Sequence, residues 1–101
     1  MEFRSVADVP TDAAAWYAKQ LLSHLGHKVA VQAIGGEPRG GRLVFAYGTA
    51  TVIPGSDRLT LRAAAAHTES LARVQDVVSR HLERFGARQA VVVEWRTDSV
   101  G

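Results

Sequence analysis

The sequence predicts an α+β domain in which two helices lie on one face of a single, mainly antiparallel sheet. Two segments each carry one apolar stripe at helical spacing, and four strand-like segments follow one another between them. A helix with a single apolar stripe buries that stripe against one partner layer, so both helices are expected on the same side of the sheet. The 101 residues have the length of one domain. We therefore predict a single α+β domain over residues 1–101, with the element order β-α-β-β-β-β-α-β.

The first strand and the first helix are predicted near the start of the chain. Residues 3–7 alternate weakly between apolar and polar side chains, which is typical of a short strand. Thr11 follows a proline and is the expected helix N-cap, while Gly26 is expected to end the helix in the left-handed conformation. The apolar stripe between them recurs every three or four residues, at Ala14, Tyr17, Leu21 and Leu25.

Four successive strands form the predicted centre of the sheet. They cover residues 28–34, 41–45, 49–53 and 58–65, and a Pro-Gly-Ser-Asp turn precedes the last of them. Their outward face is expected to carry small apolar residues between arginines, namely Ala30, Val44, Ala46, Ala50, Val52 and Ala64. Such a patch is more typical of a partner surface than of a solvated one. We therefore predict a homodimer that forms through this exposed sheet face, with contacts at Val44, Ala46, Ala50 and Val52.

The second helix shows the clearest periodicity in the chain. Thr68 is its expected N-cap and Gly86 its expected end. Its apolar stripe has spacings of three and four residues and consists of Leu71, Val74, Val78, Leu82 and Phe85. Residues 90–96 then predict a final strand.

Composition excludes several classes of function. Cysteine is absent, which excludes disulfides, thiol catalysis and cysteine-ligated metal sites. No apolar run approaches the ~20 residues of a membrane helix, and residues 1–30 lack a signal-peptide core, so a cytoplasmic protein is expected. The net charge is only +2, and the arginines are spread over turns and strands, so nucleic-acid binding is not indicated. Common enzyme motifs are missing, which favours a non-enzymatic role.

Three histidines are the candidate metal ligands of the chain. His24 and His27 surround the predicted end of the first helix, and His81 lies late in the second helix. If the two helix ends converge, these imidazoles would form an open site for a divalent metal or for haem. A structural interpretation is favoured over this one, because cationic side chains near a helix C-terminus interact favourably with its negative end.

The histidine segments also resemble a known family. The segment from Gln20 to Val29, with its two histidines, and the segment from Leu71 to Phe85, with His81, resemble the small bacterial family named domain of unknown function 2218. The resemblance implies a stand-alone α+β domain without an established activity. It also implies an accessory role in iron or siderophore metabolism, with a siderophore-interacting reductase as a partner.

Two functional hypotheses follow from the sequence. In the first, the protein is a non-enzymatic binding or assembly module that is dimeric through its sheet. In the second, His24, His27 and His81 bind a metal or haem and support iron handling or redox chemistry.

Overall fold

The computed structural model describes residues 2–34, 40–87 and 91–97. It contains the predicted order of elements: β1 (Phe3–Pro10), α1 (Ala14–Leu25), β2 (Ala30–Ile34), β3 (Gly40–Phe45), β4 (Gly48–Pro54), β5 (Arg58–Ala65), α2 (Thr68–Phe85) and β6 (Arg96–Thr97). The α+β class and the β-α-β-β-β-β-α-β order are confirmed.

The six strands form one antiparallel sheet in the order β2-β3-β4-β5-β1-β6. Strands β2 to β5 follow one another as a meander, and β1 then pairs along its whole length with β5. Helix α1 packs over β3, β4 and β5, helix α2 packs over β4, β5 and β1, and the two helices contact each other. Because the helices share two strands and touch, they lie on the same face, as predicted.

The apolar stripes of the helices meet the alternating apolar residues of the strands in one core. Every predicted stripe residue of α1 is buried, and α2 buries the central part of its stripe. The opposing sheet residues include Ala7, Val9, Leu43, Leu59 and Leu61, all nearly inaccessible. The helical periodicity of the sequence therefore identified the helix side of the core correctly.

The predicted outward face of β4 is wrong. Ala50 and Val52 have 1% and 0% exposed surface and belong to the core under the helices. The β3–β4 hairpin has a two-residue loop, which pairs Phe45 with Gly48 and then Leu43 with Ala50. Directly paired residues share a face of the sheet, so Ala50 must lie with the buried Leu43. The residues of β4 that point away from the helices are instead Thr49, Thr51 and Ile53.

The helix ends also differ in detail from the sequence expectation. Helix α1 begins three residues after Thr11, whose Oγ1 accepts a hydrogen bond from the Ala13 amide at 3.0 Å. Thr11 therefore shapes the turn before the helix and is not the N-cap. Gly26 does not adopt the expected left-handed conformation: its backbone is right-handed, with φ −62° and ψ −15°. The turn continues past it, because the amides of Lys28 and Val29 both donate to the Leu25 carbonyl. Thr68 is the first helical residue of α2, and the N-cap is His67.

The predicted final strand is much shorter than expected. Only Arg96–Thr97 pairs with β1, whereas residues 91–95 lie against the core and α2 without joining the sheet. The Val93 amide donates to Glu83 Oε2 at 3.0 Å, and the Trp95 indole donates to Ser79 Oγ at 2.7 Å. Alternate side chains of this extended segment are half-buried, which produces a strand-like sequence pattern without a strand partner. Residue 90, where the predicted strand began, lies outside the described residues.

Neither helix has the length and apolar character required to cross a membrane, as judged over the described part of the chain.

Candidate functional site

The ends of the two helices bring two of the predicted site histidines together. His24 lies in the last turn of α1, and His81 lies one turn before the end of α2. The centroids of their imidazole rings are 5.2 Å apart. Phe85 completes the cluster by an edge contact with His24, at 5.5 Å between ring centroids. His24 is exposed and His81 is half-buried, so the pair lies at the surface.

The backbone of α2 holds His81 in one tautomer. Its Nδ1 lies 2.8 Å from the carbonyl oxygen of Val77. A carbonyl oxygen can only accept a hydrogen bond, so Nδ1 carries the proton. Nε2 of the neutral ring then keeps its lone pair, which is available to a proton or to a metal ion. Metal-binding histidines commonly donate their other nitrogen to a backbone carbonyl in this way.

The third predicted ligand, His27, is exposed in the turn after α1, and no ring contact joins it to the pair. Within residues 2–34, 40–87 and 91–97, no group of three or more His, Cys, Asp and Glu side chains is arranged to hold a metal ion. The structure therefore brings together two of the three candidates. His24 and Arg84 lie in the last turns of their helices, where a positive charge also stabilises the helix end.

A second candidate site, which the sequence analysis missed, lies on the sheet face that the helices leave open. The register aligns Arg42 of β3, Thr51 of β4 and Arg62 of β5 side by side across three neighbouring strands. The residues on either side of Thr51 along the strand are buried under the helices, so Thr51 itself points to the open face. Arg42 and Arg62 thus share that face, one on each side of the Thr51 hydroxyl.

These arginines line a shallow hollow of about 440 Å³. Arg4 also borders it, but its guanidinium is paired with Glu2 at 2.7 Å. Within the described residues, Arg42 and Arg62 form no ion pair. The remaining lining combines hydroxyl and small apolar side chains, among them Thr49, Thr51, Ile53 and Ala64. Unpaired positive charge is therefore concentrated between β3 and β5.

At the β1 side of the same face, a carboxylate is fully engaged. Asp8 Oδ2 accepts from Arg96 at 2.7 Å, and Asp8 Oδ1 accepts from the Thr60 hydroxyl at 2.8 Å. These hydrogen bonds, that of Arg96 first, lower the pKa of Asp8 below its usual value of 3.8. The carboxylate fastens β6 to the sheet and leaves Arg96 less available to a ligand.

The hairpin loop is the signal by which the open-face site could have been found. A two-residue connection fixes which residues are paired, and that pairing assigns every side chain of β4 to a face. Once Val44 is paired with Thr49, Arg42 must be paired with Thr51. Two arginines that are far apart in the sequence, Arg42 and Arg62, therefore lie in one row across the sheet.

Comparison with known proteins identifies relatives of the chain. The model of a family described as an uncharacterised protein conserved in bacteria (DUF2218) matches residues 6–96. The NMR structure of PA4090 from Pseudomonas aeruginosa is similar, with a TM-score of 0.74 and 30% sequence identity over 93% of this chain and 95% of that chain. A search of curated proteins found none that is significantly similar to this chain.

Proposed function

Because this chain belongs to the DUF2218 family of uncharacterised bacterial proteins, we propose that it is a small binding module whose working surface is the open face of its sheet. The observation that supports this proposal best is the pair Arg42 and Arg62, which share one hollow without an ionic partner among the described residues. Two like charges held near each other raise the free energy of the unliganded protein slightly, and a bound anion would relieve that cost.

The side chains of the hollow suit binding. Guanidinium and hydroxyl groups orient a polar ligand, while Ile53, 37% exposed, and the half-buried Ala64 offer apolar surface. The planar guanidinium also matches the geometry of acidic groups, because its parallel N–H donors can bind two oxygens at once.

An NMR titration tests the binding proposal. A panel of acidic, neutral and basic small metabolites would be added to the ¹⁵N-labelled chain, and the amides whose shifts move would be mapped. We expect acidic compounds to perturb amides of β3, β4 and β5 around the open face. Compounds that perturb only the helix side or the histidine pair would contradict the proposal.

Self-association through the sheet is a second part of the proposal, and we assign it to the β2 edge. Stacking two open faces would place unpaired guanidiniums against one another, which is unfavourable. Strand β2 has the sequence Ala-Val-Gln-Ala-Ile, without a charge or a proline, and its Val31 is 41% exposed. Natural edge strands usually carry such charges or prolines to prevent pairing. Pairing of β2 with β2 of a second copy would extend the sheet and leave both hollows accessible.

Sedimentation at high micromolar concentration tests this association. We expect a dimer for the wild-type chain and a folded monomer for Val31→Lys, because the substitution places two like charges across the β2–β2 contact. Val92→Lys is the matched control, since Val92 is 62% exposed and lies far along the chain from the edge strand. A monomeric wild-type chain, or equal dissociation by both variants, would refute the assignment.

The histidine pair supports a second candidate function, the binding of a metal or of haem. The supporting observation is the 5.2 Å separation of the His24 and His81 rings, together with the lone pair that the Nδ1 hydrogen bond of His81 leaves on Nε2. Fe²⁺ is the first ion to test, because the resemblance to the family implies an iron-related accessory role. Ligation requires the neutral form of the imidazole, so protons would compete with the metal for these ligands.

Metal analysis and the absorption spectrum of freshly purified protein test this second function. His24→Ala and His81→Ala should each abolish binding of Fe²⁺ or haem. His27→Ala should have little effect, since no ring contact joins His27 to the pair. His67→Ala, at the start of α2, serves as a remote control. Protein without metal or haem that also fails to bind added Fe²⁺ or haemin would leave helix capping as the role of these residues.

A further inference from the structure

The open face positions its two unpaired arginines at a fixed spacing. Arg42 and Arg62 each pair with Thr51 in the strand between them, so their Cα atoms are separated by two strand spacings, about 9.6 Å. Arginine side chains are long enough to lean towards each other across one intervening residue. Both guanidiniums can therefore reach one ligand group held above the Thr51 hydroxyl.

The number of hydrogen-bond donors selects the kind of anion. Each guanidinium presents two parallel N–H groups to an anion. Two such forks occupy the roughly four lone-pair sites of one carboxylate and leave none for the Thr51 hydroxyl. A phosphate monoester has three terminal oxygens and a charge of about −1.5 to −2 at neutral pH. That charge balances the two unpaired guanidiniums, and the Thr51 hydroxyl supplies a further donor.

We propose that Arg42, Thr51 and Arg62 bind the phosphate group of a small phosphorylated metabolite. This inference rests on the proposed binding function of the open face and specifies its ligand. Two residues further along the same strands, Val44 and Ala64 lie on the same face and are half-buried. The organic part of the ligand contacts these apolar side chains, and the hollow of about 440 Å³ has room for a small molecule.

The test is a titration of the ¹⁵N-labelled full chain with phenyl phosphate, inorganic phosphate and benzoate at low ionic strength. Phenyl phosphate should bind most tightly, because it combines the phosphate with an apolar group. Arg42→Gln and Arg62→Gln should each weaken its binding by about tenfold or more, as expected for loss of charged hydrogen bonds. Thr51→Val, which keeps the shape of the side chain, should weaken binding several-fold.

Arg80→Gln is the matched control, because it removes the same charge from an exposed arginine of α2 that is paired with Asp76. Equal weakening by Arg80→Gln would show nonspecific charge attraction and would refute the inference. Benzoate binding as tightly as phenyl phosphate at the same amides would refute the phosphate assignment and leave the open face as a binding surface. A single-stranded oligonucleotide is titrated in the same way. If it binds at these amides more tightly than phenyl phosphate, the assignment to a small metabolite is refuted and the open face remains a binding surface. If none of these compounds moves an open-face amide, the phosphate inference fails, and the metabolite panel then decides independently whether the face binds another class.

Discussion

The assignment of side chains in the β3–β4 hairpin to the two faces of the sheet can be tested by making the same substitution at one valine of each strand. Val52 and Val44 are both expected on the outward face from the sequence, whereas the structure buries Val52 completely and leaves Val44 half-exposed on the open side. Threonine has nearly the shape of valine and the same branching at Cβ, so Val52→Thr and Val44→Thr change mainly the polarity of one group.

The expected magnitudes follow from the two environments. At Val52 the new hydroxyl would be enclosed by apolar core side chains, and a buried hydroxyl without a partner costs roughly 1–3 kcal/mol. A value of about 2 kcal/mol corresponds to a drop in Tm of roughly 8–16 °C for a domain of this size. At Val44 water reaches the hydroxyl, so the change should remain within about 0.5 kcal/mol.

Urea unfolding followed by circular dichroism measures both variants. The midpoint of Val52→Thr should fall while the slope m stays unchanged, which identifies a loss of stability and not a change in compactness. Equal destabilisation of the two variants, or a greater effect at Val44, would refute the register of the β3–β4 hairpin. The row of Arg42, Thr51 and Arg62 would then be lost as well, because it depends on the same pairing.

Three further outcomes are expected. Val78→Asp should prevent folding, seen as loss of the native circular dichroism spectrum, because it places an unpaired charge at a fully buried position; a cooperative transition at the normal Tm would contradict the core. Trp95→Phe should lower the free energy of unfolding in urea by about 1 kcal/mol through loss of its hydrogen bond to Ser79. The double variant Trp95→Phe/Ser79→Ala should be only slightly less stable than Trp95→Phe, because the first substitution already removes that hydrogen bond. Asp8→Asn should lower stability at neutral pH by at most about 1 kcal/mol, since the ion pair with Arg96 is partly exposed. Because folding lowers the pKa of Asp8 below 3.8, its contribution is fully present above that value and is lost as the pH falls through the lower folded pKa; a difference between wild type and variant that grows in acid would contradict this sign.

The parts of the fold that could be predicted from sequence are those governed by local periodicity. The stripes of α1 and α2 repeat over several turns, and the antiparallel order follows from short turns between successive strands. The face of the sheet on which a side chain lies is harder to predict where both faces of a strand carry small or apolar residues. In β4, the alternation of Thr49 and Thr51 with Ala50 and Val52 indicates the buried side, but Ile53 places a large apolar residue on the other face and weakens the pattern.

The candidate sites were only partly predictable for a related reason. The proximity of His24 and His81 depends on how α1 and α2 pack at their ends, which the sequence suggested but could not determine. The position of Arg42 and Arg62 on either side of Thr51 depends on the register of three strands, and the two arginines are twenty residues apart in the chain. Charge that is dispersed along a sequence can be concentrated by a sheet, because every second residue of neighbouring strands is brought onto one face.

The central position of β3, β4 and β5 has a consequence for how the open face would bind. Each of these strands is hydrogen-bonded on both sides, and their other face is buried under the helices. The backbone spacing of Arg42, Thr51 and Arg62 is therefore set by the paired strands and the core, and it does not depend on a loop. Only the outer parts of the arginine side chains need to become ordered on binding, which limits the entropic cost to the ligand complex. The same arrangement separates function from stability, because substitutions on the open face remove little buried apolar surface. Loss of phosphate binding in Arg42→Gln or Arg62→Gln should consequently occur without a comparable loss of folding stability.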